Sequence, residues 1–408
     1  MTMGFSDLPL ARRDLSILPA AAAAATAVGA THAAPARSVP PATTLPGRRR
    51  LVDDGGIAAL DLELDTLPAT TRRAGGRLRT PVIEADRFRM VGVTWRGGRG
   101  RVWARWRRTS GGWTGWRELP PLSHGPDRRG PERGRRGAAT DLTWTGPSDA
   151  VQLELTGAAR APVLTLLELR RLPGDRRADE RLSAPRRNGG GTLPKPGAVP
   201  MPRMLFRKAW GPNPAWRNGS PSYNRRIRQL HVHHTVNGND YRRADVPAMI
   251  RAMYRYHTKN LGWSDIGYNF LVDRFGRLWV GRAGGPRKAV RGAHTLGFNH
   301  ASVGVAVIGS YETTEPPRAV IRALVRIASW KLDLYDGRPR ARIRIRSGGS
   351  DRFREGRRVR LPTIDGHRDT NQTACPGARL YAALPAVRRR TARRIRKFRR
   401  RQASLRTG

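Results

Sequence analysis

The sequence predicts two folds in one chain: a small all-β, sandwich-like domain, then an α/β domain in which helices flank a mixed central sheet. Three observations carry this. Between Val82 and Leu172, short runs alternate apolar and polar residues and are punctuated by Gly97-Gly98, Gly111-Gly112 and Gly146-Pro147, the signature of half-buried strands joined by turns. From Met204 to about Val387, apolar runs of strand length mix with stripes at helical spacing. Between the two, residues 173–203 carry GDRRADE, NGGG and PKPGAVP, which are charged, rich in Gly and Pro and without periodicity, and so read as a linker.

The 408 residues leave room for both domains and for flanking segments. Residues 1–36 read as an export signal. Arg12-Arg13 precedes a weakly apolar, Ala-rich run from Ile17 to Ala30, and small residues at Ala33, Ala34 and Ala36 offer a cleavage site. That run is too short and too weakly apolar to span a bilayer. Its twin arginine resembles a twin-arginine export signal, so the protein is expected to be secreted or wall-associated. Residues 37–81 then read as a flexible lead-in, dominated at their start by Pro, Arg and Ala.

In the β domain, residues 82–172, Val151, Leu153 and Leu155 alternate with polar neighbours, and Val102, Ala104 and Trp106 share one face of a second strand. Six of the 11 tryptophans fall here, at Trp95, Trp103, Trp106, Trp113, Trp116 and Trp144. Trp beside Arg suits a surface on which sugars or bases stack. Packing in a small β core is the plainer expectation.

In the second domain, residues 204–387, Gln229 to His234 reads as a strand. Asp245 is placed to cap a helix with the stripe Ile250, Met253, Tyr254 and His257. Tyr268–Val272 and Arg277–Val280 flank a turn and read as a hairpin. The apolar run Val303–Ile308 reads as a buried central strand, and Val320, Leu324, Ile327 and Ala328 mark a second helix. Residues 388–401 carry ten Lys or Arg, yet Val387, Thr391, Ile395 and Phe398 keep helical spacing. Residues 388–408 therefore form a basic amphipathic tail, suited either to an anionic surface or to docking one stripe on the domain.

The formal net charge is +47, from 78 Lys and Arg against 31 Asp and Glu. Such a chain attracts polyanions: nucleic acid, acidic lipid or teichoic-type wall polymers. The arginines are spread through every segment, so charge by itself names no nucleic-acid function.

Cys375 is the single cysteine, which excludes an internal disulfide framework. Such a thiol is reactive, paired between molecules, bound to metal or simply buried. His231-Val-His233-His234, His367 and Cys375 together offer imidazole and thiolate, a donor set that zinc takes readily with a fourth position left for water.

The segments HVHHTV, GWSDIGYNFLVDRFG, VGRAGG, GAHTLGFNHASVGVAVIGSYE and GHRDTNQTACPG resemble, in order and spacing, the peptidoglycan recognition protein family. That family includes the zinc-dependent N-acetylmuramoyl-L-alanine amidases of the phage-lysozyme type. The resemblance covers about residues 205–387, and more loosely the β segment resembles a domain preceding the amidase in some actinobacterial members.

The resemblance implies an α/β amidase domain that uses Zn2+. His233, His367 and Cys375 match the family's metal ligands. Tyr268 matches the tyrosine that polarises the scissile carbonyl or orients the water, and Thr373 stands where relatives have Thr or Lys. Apart from the resemblance, His294 in GAHTLGFN is a candidate to line the cleft near the substrate, and Arg282 is suited either to a peptide carboxylate or to a structural ion pair. The implied reaction hydrolyses the amide between the lactyl group of N-acetylmuramic acid and L-Ala of the stem peptide. Zinc would activate water near neutral pH and polarise the carbonyl. The expected partner is peptidoglycan, with anionic wall polymers a further one through the basic tail and no specific nucleic acid. Val280 departs from the Glu that many members carry, and the disulfide of many animal members is missing. A non-catalytic peptidoglycan-binding module and a basic nucleic-acid binder are the alternative functions.

Overall fold

The computed structural model describes residues 44–68, 70–73, 77–132, 138–157, 159–176, 182–183 and 199–407. The expected export signal, residues 1–36, lies outside them, as does much of the expected linker. No helix among the described residues is long and apolar enough to cross a membrane.

The N-terminal domain is an antiparallel sheet of ten strands. Two long strands, Ile83–Arg96 and Thr143–Gly157, form its spine. Thr143–Gly157 pairs through one half with Ile83–Arg96 and through the other with Gly100–Arg108. Register shifts near Phe88 bend the pairing, as bulges do, and the sheet wraps a core that includes Phe88, Val91, Trp106, Leu153 and Leu164. The alternation read at Val151, Leu153 and Leu155, and at Val102, Ala104 and Trp106, puts all six side chains inside.

Two features differ from the sequence reading. Strands Val52–Asp53, Ile57–Glu63, Thr71–Arg73 and Arg77–Arg79 lie in the segment read as a flexible lead-in. Ile57–Glu63 pairs along its whole length with Arg160–Leu169, a partner about a hundred residues away that local patterning does not reveal. Of the six tryptophans, only Trp95 and Trp106 are buried. Trp103, Trp113 and Trp116 lie outside, with the Arg105 guanidinium 5.0 Å and 5.2 Å from the ring centroids of Trp113 and Trp116, and Arg101 5.0 Å from that of Trp103. Cation–π stacking holds these rings on the surface.

The C-terminal domain is built on a mixed sheet. Its centre is Gln229–His234, flanked by parallel strands Ser302–Val307 and Ile364–Gly366. Phe270–Val272 extends the sheet in parallel and turns back antiparallel as Leu278–Val280. Val280 is buried in that hairpin. Three helices accompany the sheet: α1, Val246–Arg255; α2, Arg318–Asp333; and α3, Ala378–Thr407. The α2 stripe Val320, Leu324, Ile327 and Ala328 packs on Val232, Val272, Val305 and Val307, as its spacing predicts.

Helix α1 is buried all round, although its sequence has an amphipathic stripe. The N-terminal domain covers its polar face. Arg251 donates to both carboxylate oxygens of Asp175 at 2.9 Å and 2.7 Å, and Arg255 meets Asp54 and Asp61, each at 2.9 Å. Asp245 makes no side-chain cap; its carboxylate instead accepts from Arg171 and from the Arg242 amide. Ile57, Met90, Ala139 and Leu167 of the first domain share one apolar cluster with Met249, Met253 and Tyr256 of the second. The two domains therefore have a continuous core.

The basic tail forms the last two-thirds of α3. Val387, Thr391 and Ile395 are buried, and Arg399 donates to Asp333 of α2 at 2.6 Å and 3.0 Å. The apolar stripe is thus used for docking within the domain, one of the two roles expected for it, and Arg389, Arg390, Arg393, Arg396 and Arg400 stay exposed on the opposite face.

Candidate metal site and cleft

The site forms at the carboxyl ends of adjacent parallel strands, where open α/β sheets leave a crevice. Val232 stands opposite Gly366 in register, so the next residue of each strand, His233 and His367, emerges at the same edge. Their rings lie 4.6 Å apart. Cys375 arrives on the turn before α3. Gly377 allows that turn: its φ is +90°, and a Cβ there would lie 2.4 Å from the Tyr311 backbone, which only glycine avoids.

One nitrogen from each of His233 and His367 and the Sγ of Cys375 lie within 4.8 Å of one another. Sγ is 3.8 Å from His233 Nδ1. Nε2 of His367 is buried without a hydrogen-bond partner, unusual for an atom that wants one. Burial pushes both histidines well below the usual imidazole range, so each is a neutral donor. Burial pushes the Cys375 thiol up, while the His234 amide, 3.4 Å from Sγ, opposes this. Two neutral imidazoles and one thiol are a donor set suited to zinc.

The surrounding residues orient these candidate donors. His233 Nε2 lies 3.1 Å from His294 Nδ1, so His294 stands behind His233 and is wholly buried. The sequence reading put it along the cleft instead. Room for its ring comes from Gly304, where a Cβ would lie 2.3 Å from His294 Cγ. His231, on the same strand face as His233, lies 2.5 Å from Asp365. His234, on the other face, accepts from the Tyr311 amide at 3.3 Å. His257 accepts from Gly267 N and stacks on Trp263. Thr373 Oγ1 accepts from the Cys375 amide at 3.2 Å, leaving its O–H free to donate.

The Tyr268 ring lies 5.5 Å from that of His233. Burial, reinforced by Asp141 and Cys375, pushes its hydroxyl well above the usual range, so it stays a protonated donor. Arg282 is buried too. It donates to Ser264 Oγ at 2.7 Å and to Ile266 O at 3.3 Å, and it forms an ion pair with Glu132 of the N-terminal domain. The expected carboxylate partner of Arg282 is therefore supplied from within the chain.

Residues 223–378 match the family model described as N-acetylmuramoyl-L-alanine amidase. The C-terminal domain belongs to that family. The amidase-family domain also aligns with peptidoglycan-recognition protein SC2 of Drosophila simulans, at 29% identity over 150 residues, 37% of this chain and 68% of that one. It aligns with human N-acetylmuramoyl-L-alanine amidase at 32% identity over 189 residues, 44% of this chain but 28% of the human protein. Among solved structures, wild-type Drosophila PGRP-LB matches at 26% identity, covering 45% of this chain and 93% of that one, with a TM-score of 0.36. Residues 50–180 match a model described as Rv3811 N-terminal galactose-binding domain-like, which begins where the first strands do.

Residues 122–132 escaped the sequence reading. Their Gly, Pro and charged composition is that of an ordinary loop, and only His124 within Ser-His-Gly-Pro-Asp hinted at chemistry.

Proposed function

We propose that this protein is an exported zinc-dependent amidase that hydrolyses the lactyl–L-Ala amide of peptidoglycan. One observation carries the reading: the unpartnered, buried Nε2 of His367 beside His233 and Cys375. His233, His367 and Cys375 would hold the ion. When bound there, zinc acts as a Lewis acid and activates water near neutral pH.

The chain's own groups have roles around it. His294 fixes the His233 ring by hydrogen bonding, the kind of support that holds ligand geometry, and Asp365 faces Nδ1 of the neighbouring His231 at 2.5 Å. The protonated Tyr268 hydroxyl donates toward the scissile carbonyl oxygen as negative charge develops on it. Thr373 holds the turn that presents Cys375 and retains a free proton to donate. Burial of the two histidines keeps water away from their rings and strengthens each of these interactions.

The test has two parts on the full chain. Metal analysis should find one zinc per protein, and mass spectrometry of digested sacculi should find free stem peptides that begin at L-Ala. Protein without stoichiometric zinc, or zinc-loaded protein that binds sacculi and releases nothing, would leave a non-catalytic binding module instead.

A further inference from the structure

Residues 122–132 of the N-terminal domain lie across the site. Their base is fixed to that domain: Leu122 N donates to Ala139 O at 2.9 Å and Asp141 N to Pro120 O at 2.8 Å. From there the strap runs into the amidase-family domain, and His124, Gly125, Pro126 and Asp127 are buried.

Four residues of the strap, His124, Gly125, Asp127 and Glu132, meet donors of that domain. The His124 ring stacks on Tyr268, with Nε2 3.4 Å from the tyrosine hydroxyl, and meets the ring of the ligand His367 edge-on at 6.2 Å. Gly125 O accepts from Asn299 Nδ2 at 2.9 Å. Asp127 Oδ1 accepts from Gly297 N at 2.8 Å and Asn299 Nδ2 at 3.0 Å. Glu132 pairs with Arg282 and accepts from Ser264 N at 2.9 Å. The exposed end of the strap is tied by Arg129 to Glu355 at 2.9 Å.

This row of acceptors has the chemistry of an acidic peptide: a carbonyl, two carboxylates and one ring nitrogen, all presented to fixed donors. The Tyr268 hydroxyl sits beside a metal ligand, so a group resting on it occupies the place a scissile carbonyl must take. A stem peptide, itself a string of carbonyls and carboxylates, would compete for the same donors.

We propose that residues 122–132 act as an intramolecular pseudo-substrate, which keeps the cleft closed until the strap is displaced by the peptide. The inference rests on the amidase reading for the identity of the ligand, though not for the occupancy of the cleft. Substrate affinity is then lowered by the fraction of molecules in which the strap is docked. The strap also states what the cleft accepts: a carboxylate at Arg282 and a second acceptor at Gly297 and Asn299.

The test uses full-length protein carrying Asp127→Ala and Glu132→Ala, which deletes two docked carboxylates and touches no metal ligand. Stem-peptide release from sacculi should rise about fivefold or more over the parent at unchanged zinc content, because the docked fraction falls. Equal or slower release at full zinc overturns the proposal. If neither protein releases peptide, the amidase reading fails and binding decides the strap. An N-acetylmuramoyl pentapeptide should bind the double variant more tightly than the parent, and equal affinity overturns it. Should the variant not fold, the parent carrying Cys375→Ser answers alone. Adding the pentapeptide should speed hydrogen exchange across residues 122–132, and slowed or unchanged exchange overturns the proposal.

Discussion

His233 Nε2 lies 3.1 Å from His294 Nδ1, inside the protein and out of reach of solvent. If His233 presents the lone pair of Nδ1 on the side that faces Cys375, its proton must sit on Nε2 and be donated to His294. His294 then carries its own proton on Nε2, which faces Ser302 Oγ at 3.5 Å. One tautomer of each ring is thereby selected, as partners of metal-binding imidazoles do.

His294→Ala should accordingly weaken metal binding about 10–100-fold without removing any ligand. Competition against a zinc chelator measures this directly, and unchanged affinity would show that the His233 ring is held by packing alone.

Cys375→Ser removes the thiolate and should abolish stoichiometric zinc and peptide release together. Metal analysis of the purified variant, read beside the sacculus assay, checks both at once. Retained activity would remove Cys375 from the reaction.

Tyr268→Phe deletes one hydroxyl and leaves the ring packing in place. With a donor to developing charge worth roughly 3 kcal/mol, kcat should fall about a hundredfold while zinc content stays at one. A change confined to KM would assign Tyr268 to ground-state binding.

Asp127 offers a pH signature. Burial raises its carboxyl from 3.8 to about 6, against the opposing bonds from Asn299 and Gly297 and the charge of Arg291. A raised acid contributes stability that is present below its unfolded pKa and is lost as pH rises through about 6. The stability difference between wild type and Asp127→Asn should therefore shift against wild type between pH 4 and pH 7, by about 2 kcal/mol at most. Denaturant titrations at several pH values read it, and a pH-independent difference would reject it.

Arg251→Ala tests the domain boundary. Arg251 is buried against Asp175 and the carbonyls of Trp210 and Arg170, so its loss strands a buried carboxylate at about 3–5 kcal/mol. Thermal unfolding should show a single transition at a lower temperature. Two separated transitions would mean that the domains fold independently.

Much of this was legible from local pattern. The strand ending in His231-Val-His233-His234, the hairpin around Asp273–Gly276 and the α2 stripe depend on side-chain periodicity, which neighbours in sequence express, whereas the choice of His233, His367 and Cys375 among the available donors came from the family resemblance. The early strands were not legible, because Ile57–Glu63 exists through its pairing with Arg160–Leu169. Nor was the burial of α1, whose Arg251 and Arg255 look like a solvated face until Asp54 and Asp61 arrive from the other domain and Asp175 from the segment that follows it.

By itself the sequence determined where imidazole and thiol donors stand and which segments form the sheet beneath them, since donor chemistry and hydrophobic period are properties of short stretches. Only the tertiary structure decided what faces those residues. His294 turned behind His233, Arg282 met Glu132, and His124 came to rest on Tyr268, because contacts between distant segments depend on how two domains pack, and no local pattern encodes that.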